Sequence, residues 1–418
     1  ADPRLGLPEV PTLATPGDLA AGALRVALGI LPFCVLAGYL TPRLVDAGAR
    51  GDPERAGRAY AFNLAGCIVG PLAAGFLLLP RVDERTALAL LALPLLALAV
   101  IGQPARAAAR ALLAAGLVAG ALWAATRDPM SPLGPRRVER DYAATSIATG
   151  EGMDRRLLVN GFGMTRLTPI TKLMAHLPLA LLDHPPRRAL VVCFGMGTTF
   201  RSLASWRIDT TGVELIPGVV RLFDYFHADA GRVLASPAGA RVVVDDGRRF
   251  LERTGQRFDV ITIDPPPPVM AAGSSLLYSR EFYGLAAARL EAGGILHQWL
   301  PGGDDVVVAA FTRALAESFP YVRAFGSLEG WGVHFLASER PIELPSRAEL
   351  DRRLPPAAQA DLTEWTPAAR PGDLFGRVFA REVAIEGLLA RSPRTPALSD
   401  DRPLNEYFLL RSLFSPRP

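Results

Sequence analysis

Lysine is nearly absent from this chain of 418 residues, and cysteine is scarce. The single lysine is Lys172, so arginine supplies almost all of the 45 basic residues, which exceed the 41 acidic residues by four charges. No basic run with interleaved aromatic residues occurs, which argues against a nucleic-acid partner. The three cysteines, Cys34, Cys67 and Cys193, lie in apolar surroundings without CxxC spacing, which excludes a disulfide framework and a cysteine zinc site.

Histidine is also sparse, and no two histidines stand at the spacing of a metal-binding motif. The five are His176, His184, His227, His297 and His334. We therefore predict no metal site. His297 precedes Gln298, and it either lines a pocket or is a hydrogen-bonded side chain at the end of a strand.

Apolar residues are abundant, since half of the chain is hydrophobic and the mean hydropathy is +0.22. After a flexible lead at 1–17, the region 18–126 predicts about four transmembrane helices, because stretches with few charges follow one another. Their bounds are 19–40, 60–79, 86–101 and 111–125. A helical bundle in a soluble protein is the alternative, but such stretches would be hard to solvate. Arginines flank every span and leave the orientation open.

The rest of the chain alternates between β-type and helical patterns after a proline-rich linker at 127–140. Residues 141–149 and 155–161 predict a β-hairpin, followed by a helix at 169–182. The further predicted strands are 189–193, 210–214, 241–244, 259–263 and 294–299, with helices near 198–206, 216–228, 247–253 and 279–291. This alternation predicts an α/β fold with a doubly wound, mostly parallel sheet. We expect a hairpin-and-helix subdomain at 141–185, a Rossmann-like domain at 186–345 and a helical extension at 346–418.

The candidate site residues follow the ends of the predicted strands, where ligands bind such sheets. Gly195 and Gly197, in ALVVCFGMG, allow a close approach of the backbone to a ligand at the start of a helix. Glu214 ends the second parallel strand, at the interval expected for a carboxylate that accepts the hydroxyls of a ribose. Asp246, followed by Gly247, ends the third strand, and Asp264 ends the fourth. Any one of these acids could instead cap a helix or be solvated.

The order of these parts resembles the S-adenosylmethionine-binding transferases. More narrowly, DVITIDPPPP, LLYSREFY, LVNGFGMT and GGILHQWLP resemble the spermidine synthase (polyamine aminopropyltransferase) family over roughly 138–338. The segments GRAYAFNLAGCIVGPLAAGFLLLP and SDDRPLNEYFLLR are similar to the membrane-fused branch of bacterial spermidine-synthase-like proteins. The resemblance implies a Rossmann-like S-adenosylmethionine-dependent transferase domain with a small N-terminal β-hairpin region, preceded by an all-α transmembrane segment. It places the chain in the bacterial inner membrane with the transferase domain in the cytoplasm.

The same resemblance implies roles for individual residues. Gly195 and Gly197 would approach the methionine-derived part of S-adenosylmethionine or its decarboxylated form, Glu214 would hold the ribose, and Asp246 with Gly247 would read the adenine. Asp264 is the best candidate for the catalytic base and also faces the cofactor crevice. Tyr278 and Gln298 match positions near the substrate pocket, although they could equally be a packing aromatic and a strand amide.

The departures from the family pattern concern the acceptor. Met196 and Pro267 stand where the family carries acids, and Ile170 and Thr171 stand where it carries Tyr and Gln or His. Those groups normally grip a cationic polyamine and deprotonate its nitrogen. We expect a transferase that alkylates a small amine or other nucleophile by aminopropyl transfer. Methyl transfer to another acceptor is an alternative, as is a transporter or sensor with a non-catalytic nucleoside-binding domain. A homodimer is possible.

The C-terminal segment SDDRPLNEY is rich in polar groups, among them Asp400, Asp401 and Glu406. It could lie over the cofactor crevice or against the membrane part. An ordinary helix start with acidic residues in its first turn also explains it.

Overall fold

The computed structural model describes residues 16–101, 104–125, 133–264, 269–407 and 410–411. The chain forms two compact units, which are described separately. The first extends to Gly134 and includes Arg140–Ala143, and the second comprises Pro135–Glu139 and Ala144–Arg411.

The first unit is helical, as predicted. Its helices are α1 (Pro16–Ala49), α2 (Pro53–Leu72), α3 (Glu84–Val100) and α4 (Ala105–Ala125), and α2 continues as a π-helix over Ala73–Leu78. Asp52 caps α2 by accepting from the Glu54 N–H at 2.9 Å, and Asp83 caps α3 by accepting from the Arg85 N–H at 3.0 Å. Polar caps between apolar runs therefore set where these helices begin.

Two stretches of this unit are long and apolar enough to cross a membrane, Ala20–Ala49 and Pro53–Leu78. Their most apolar parts are not buried inside the protein, and Phe33 and Phe62 are 66% and 76% exposed. In this respect they differ from the core helices of a soluble bundle, which are mostly buried. The predicted third and fourth spans form α3 and α4, and the membrane placement of all four spans stays a prediction.

The second unit begins with a small sheet that contains the predicted hairpin. Its strands, in the order β1-β2-β3-β4, are β1 (Arg136–Arg140), β2 (Thr145–Thr149), β3 (Arg156–Val159) and β4 (Phe162–Arg166). Strands β2 and β3 pair antiparallel with Ile147 opposite Leu158, which confirms the hairpin. The linker prediction for 127–140 was wrong at its end, because RRVER forms the edge strand β1. A charged strand at a sheet edge lacks the apolar alternation that predicts a strand.

A second sheet of eight strands forms the centre of the unit. Its strands are β5 (Arg188–Val192), β6 (Asp209–Glu214), β7 (Ala240–Val244), β8 (Phe258–Ile263), β9 (Leu290–Leu300), β10 (Tyr321–Gly326), β11 (Val333–Ser338) and β12 (Glu382–Val383). Their order is β12-β10-β11-β9-β8-β5-β6-β7, and the neighbours from β9 to β7 are parallel. All five strands predicted after the hairpin are confirmed, whereas β10 to β12 were not foreseen.

Helices cover both faces of this sheet. They are α5 (Pro169–Ala180), α6 (Thr198–Ala204), α7 (Pro217–Arg221), α8 (Phe223–Phe226), α9 (Ala230–Leu234), α10 (Gly247–Arg253), α11 (Arg280–Ala287), α12 (Asp305–Ser318), α13 (Arg347–Arg353), α14 (Pro356–Thr363), α15 (Pro371–Phe379) and α16 (Ile385–Leu389). One apolar core includes side chains of α5, α6 and α15, and the other includes side chains of α10, α11 and α12. The architecture is a Rossmann-like α/β fold, as predicted.

The strand order reverses next to β5, because the chain proceeds from β5 to β6 and β7 on one side and returns to β8 and β9 on the other. Open α/β sheets bind ligands outside the carboxyl ends of their strands at such a reversal. We therefore expect the ligand-binding residues to follow β5, β6 and β8.

Candidate active site

The loop between β5 and α6 has a left-handed backbone at three positions. The φ angles are 68° at Cys193, 55° at Gly195 and 78° at Gly197. A Cβ built on Gly195 would meet no atom within 4 Å, so the backbone there faces open space. Gly195 is therefore a position where a ligand can approach the main chain closely.

Gly197 serves the packing of the loop. A Cβ at this position would lie 2.4 Å from the ring of Phe223, which meets the Phe194 ring edge-on with centroids 5.1 Å apart. Met196, between the two glycines, is 4% exposed and belongs to the same apolar core. The loop thus lies on an aromatic layer, and the position where the resemblance expects an acid is apolar and buried.

Glu214 is fixed against this loop from the end of β6. Its Oε2 accepts from the Gly195 N–H at 3.1 Å and its Oε1 from the Ile216 N–H at 3.1 Å. Burial raises the pKa of Glu214, while the backbone N–H groups that it accepts from act to lower the pKa. Each carboxylate oxygen has a second lone pair, which is available to the hydroxyls of a ligand.

Asp264 follows β8 directly beside the end of β5, because its N–H donates to the Val192 carbonyl oxygen at 3.0 Å. The Thr199 hydroxyl, in the first turn of α6, lies 3.4 Å from Asp264 Oδ2 and 3.0 Å from the Thr171 carbonyl oxygen. The pKa of Asp264 is raised to about 7, chiefly by burial; the Thr199 hydrogen bond opposes this shift and the negative charge of Glu214 adds to it. A carboxyl group with this pKa can accept a proton near neutral pH. Pro267 lies outside the described residues.

Asp246 occupies a position that explains it without a ligand. Its side chain caps α10 by accepting from the Arg249 N–H at 2.9 Å. A Cβ on Gly247 would lie 2.3 Å from Val192 Cγ1, so this glycine allows α10 to pack closely on β5. Both residues lie at the carboxyl end of β7, and their proposed contact with adenine stays a prediction.

Tyr278 and Gln298 differ in whether their polar atoms already have hydrogen-bond partners inside the protein. Gln298 is fully buried; its Oε1 accepts from the Tyr283 hydroxyl at 2.5 Å and its Nε2 donates to the Leu277 carbonyl oxygen at 3.2 Å. Both ends of this amide are therefore used inside the protein. Tyr278 is also fully buried, but its hydroxyl has no hydrogen-bond partner among the described residues. Burial, with the charges of Cys193 and Asp264, raises the pKa of Tyr278.

A buried cluster of charges next to the site was not foreseen. Lys172 on α5 is 1% exposed, and its Nζ lies 3.1 Å from Asp361 Oδ1 and 2.7 Å from Glu364 Oε2. Asp361, in α14, also binds His176 Nε2 at 2.8 Å and Arg201 at 2.7 Å. The cluster joins α5, α6 and α14. The rarity of lysine was the available signal, but the partner acids lie more than 180 residues further along the chain.

His297 lies inside the fold rather than in an open pocket. Its Nε2 is 3.1 Å from Nδ1 of His334, and both rings, on the paired strands β9 and β11, are fully buried. Burial lowers the pKa of His334 to about 3 and that of His297 well below its usual range. Both imidazoles are therefore neutral at pH 7, when each can donate only one hydrogen bond.

Comparison with known proteins finds sequences and structures that are similar to part of this chain. Residues 168–300 match the Spermine/spermidine synthase domain. Polyamine aminopropyltransferases of Thermococcus kodakarensis and Sulfurisphaera tokodaii are 32% and 24% identical over 171 and 188 residues, which are 38% and 42% of this chain. A crystal structure of spermidine synthase with the transition state analogue AdoDATO has a TM-score of 0.47 at 16% identity, covering 61% of this chain and 87% of that one.

The matched region spans 57% of the length of the Thermococcus protein and 61% of the Sulfurisphaera protein. Residues 168–300, which match the domain, contain the glycine loop, Glu214, Asp246, Asp264, Tyr278 and Gln298. The helices of the first unit lie outside the matched domain.

Proposed function

We propose that this chain, whose residues 168–300 form a spermine/spermidine synthase domain, is a transferase that moves an aminopropyl group to an amine. The donor would be decarboxylated S-adenosylmethionine or, for a related alkyl transfer, S-adenosylmethionine. Such a sulfonium supplies an electrophilic carbon next to a positively charged sulfur. The names of the matched relatives support the aminopropyl form of this reaction.

The observation that carries the proposal is the position of Asp264 at the reversal of strand order, where its N–H binds the end of β5, while Gly195 follows β5 and Glu214 ends the adjacent strand β6. An ammonium group has no lone pair with which to attack carbon, so the acceptor must first lose a proton. A carboxyl group with a pKa of about 7 is suited to receive that proton at neutral pH. Asp264 is therefore the proposed base, and Glu214 the proposed ribose ligand.

The acceptor differs from a typical polyamine in this proposal. Met196 and Ile170 are 4% and 3% exposed and apolar, so neither can pair with an ammonium group. An acceptor with a single amine, or one with an apolar body, fits these side chains better than an extended polycation. The same observation favours methyl transfer to a non-polyamine acceptor as the second candidate function.

We further propose that the first unit anchors the protein in the bacterial inner membrane, with the transferase domain in the cytoplasm. The exposed apolar surface of Ala20–Ala49 and Pro53–Leu78 supports this placement, because such surface is costly in water. The segment division proposed is a lead at 1–17, spans within 18–126, a linker that starts at 127 and ends before β1, and a transferase region from β1 onward with a C-terminal extension from 346. Membership of the membrane-fused branch and a homodimeric state belong to the same proposal.

The experiment is incubation of the purified full chain in detergent with each donor and a panel of amines, followed by mass spectrometry. Formation of methylthioadenosine reports aminopropyl transfer, and formation of adenosylhomocysteine reports methyl transfer. Calorimetry with methylthioadenosine tests the nucleoside site separately. Absence of binding and of both products refutes the proposal, whereas binding with no product in any mixture supports a non-catalytic nucleoside sensor instead.

A further inference from the structure

The C-terminal segment 398–407, here called the clasp, binds the loop at 269–279 that precedes α11. Asn405 is fully buried, and its Nδ2 donates to the Val269 carbonyl oxygen at 2.6 Å and to Ser274 Oγ at 2.9 Å. Glu406 Oε1 accepts from the Ser275 N–H at 3.1 Å and from the Ser275 hydroxyl. Two successive clasp side chains thus bind the first half of the loop.

The second half of the loop is held by Asp400 of the clasp. Its Oδ1 accepts from the Ser279 hydroxyl at 2.7 Å, and both of its oxygens accept from Arg248 of α10, at 2.8 and 2.6 Å. A bidentate pair of this kind fixes the orientation of both partners. The Leu398 carbonyl oxygen also accepts from the Arg280 N–H at 3.0 Å. The clasp therefore connects the loop to the first turns of two helices, α10 and α11.

Tyr278 lies between these two sets of contacts. Its N–H donates to the Ser275 carbonyl oxygen at 2.9 Å, and its ring meets Phe311 at an edge, with centroids 5.5 Å apart. Its hydroxyl is buried without a partner in the described part of the chain. A buried hydroxyl without a partner is costly, and a ligand that supplies one removes that cost. The loop would otherwise gain by moving Tyr278 toward water.

We propose that the clasp holds the loop at 269–279 in the conformation that keeps the Tyr278 hydroxyl buried and without a partner, and that Asn405 and Glu406 are positioning residues of the transferase. Only the effect on turnover rests on the proposed function; the restraint of the loop does not. The polar character of SDDRPLNEY follows from this arrangement, because each of Asp400, Asn405 and Glu406 binds a specific donor or acceptor of the loop or its neighbours.

Hydrogen–deuterium exchange of the full chain in detergent tests the restraint. Asn405→Ala and Glu406→Ala should each speed exchange within 269–279 by about tenfold, since each removes two hydrogen bonds to the loop. Glu406→Gln retains an acceptor for Ser275 and should stay close to the wild type. Asp401→Ala is the matched control, because Asp401 is an exposed carboxylate in the same segment. Exchange over β5 and β6 in the same samples reports whether each variant is folded.

Turnover tests the positioning role. Asn405→Ala should lower kcat by about tenfold or more while its affinity for methylthioadenosine changes less than about twofold, because no hydrogen bond among the described residues joins the clasp to Gly195 or Glu214. Unchanged exchange within 269–279 in both alanine variants overturns the clasp. Faster exchange with an unchanged kcat overturns the positioning role. If the wild-type chain shows no turnover, the proposed function is refuted. The exchange result then still decides whether the clasp restrains the loop at 269–279.

Discussion

Replacement of Asp264 by Asn tests the proposed base. The amide has the size of the carboxyl group and can still accept from Thr199, but it cannot take up the acceptor's proton. General base catalysis contributes about 100-fold or more to a rate, so turnover should fall by about that factor. The wild-type rate should rise as the pH increases through about 7, where Asp264 ionises, and the variant should lose this rise.

The same substitution has a calculable effect on stability. The pKa of Asp264 is raised from an ordinary 3.8 to about 7 in the folded chain, chiefly by burial. A raised carboxyl pKa contributes stability that is fully present below the unfolded pKa and is lost as the pH rises through the folded pKa. Three pH units correspond to about 4 kcal/mol, and partial exposure to the crevice reduces this to about 2 kcal/mol. The wild type should therefore lose about that much relative to Asp264→Asn between pH 4 and pH 8.

Urea unfolding in detergent, followed by tryptophan fluorescence, measures this difference. Four of the five tryptophans lie in the second unit, so the signal reports mainly on the part that contains Asp264. The unfolding free energies of the two proteins are compared at about pH 4 and about pH 8. A difference between the proteins that is independent of pH would refute a raised pKa at Asp264. A variant that retains the wild-type pH–rate profile would refute its role as base.

Three further substitutions test the loop, the ribose ligand and the charge cluster. Gly197→Ala should lower the free energy of unfolding by about 2–4 kcal/mol, because φ is positive at this position and the new Cβ would meet the Phe223 ring. Gly231→Ala is the control: its Cβ would meet no atom within 4 Å, so the free energy of unfolding should change by less than about 1 kcal/mol. Equal effects would contradict the packing role. Glu214→Gln should weaken methylthioadenosine binding in calorimetry by about tenfold, since the amide keeps only one acceptor oxygen, and unaltered affinity would remove Glu214 from the site. Asp361→Asn should destabilise the chain by about 3 kcal/mol or more, because the buried positive charge of Lys172 loses one of its negative partners. Adding Lys172→Met should recover part of that loss in thermal unfolding. If the losses of the two substitutions simply add, the pair does not interact.

The sequence was sufficient to predict the parallel strands because each is a short apolar run that ends at a polar or glycine-containing turn. Thus β5 and β8, buried along most of their length, were located to within a residue or two. The strands β1 and β12 could not be predicted in this way, since RRVER is mostly charged and Glu382–Val383 is too short for any periodicity. Their strand conformation depends on pairing with residues distant in the sequence.

The candidate site also has parts that local sequence patterns predict and parts that depend on distant contacts. The positions of Gly195, Glu214 and Asp264 follow from strand ends, which local patterns locate. The internal hydrogen bonds of Gln298 and the restraint of Tyr278 by the clasp depend on contacts between segments 15 to more than 100 residues apart. No local pattern records such contacts, so the sequence alone could not separate a pocket residue from a packed one at these positions.

The isolation of Lys172 gives the chain an intrinsic chemical reporter. It is the only lysine of the 418 residues, and its amino group is covered by Asp361, Glu364 and the ring of Trp365, whose centroid lies 4.3 Å away. An amine-reactive reagent can modify this side chain only when α5 and α14 separate. Acylation at Lys172 therefore measures how often the junction between the α/β core and α14 opens, without the introduction of any probe.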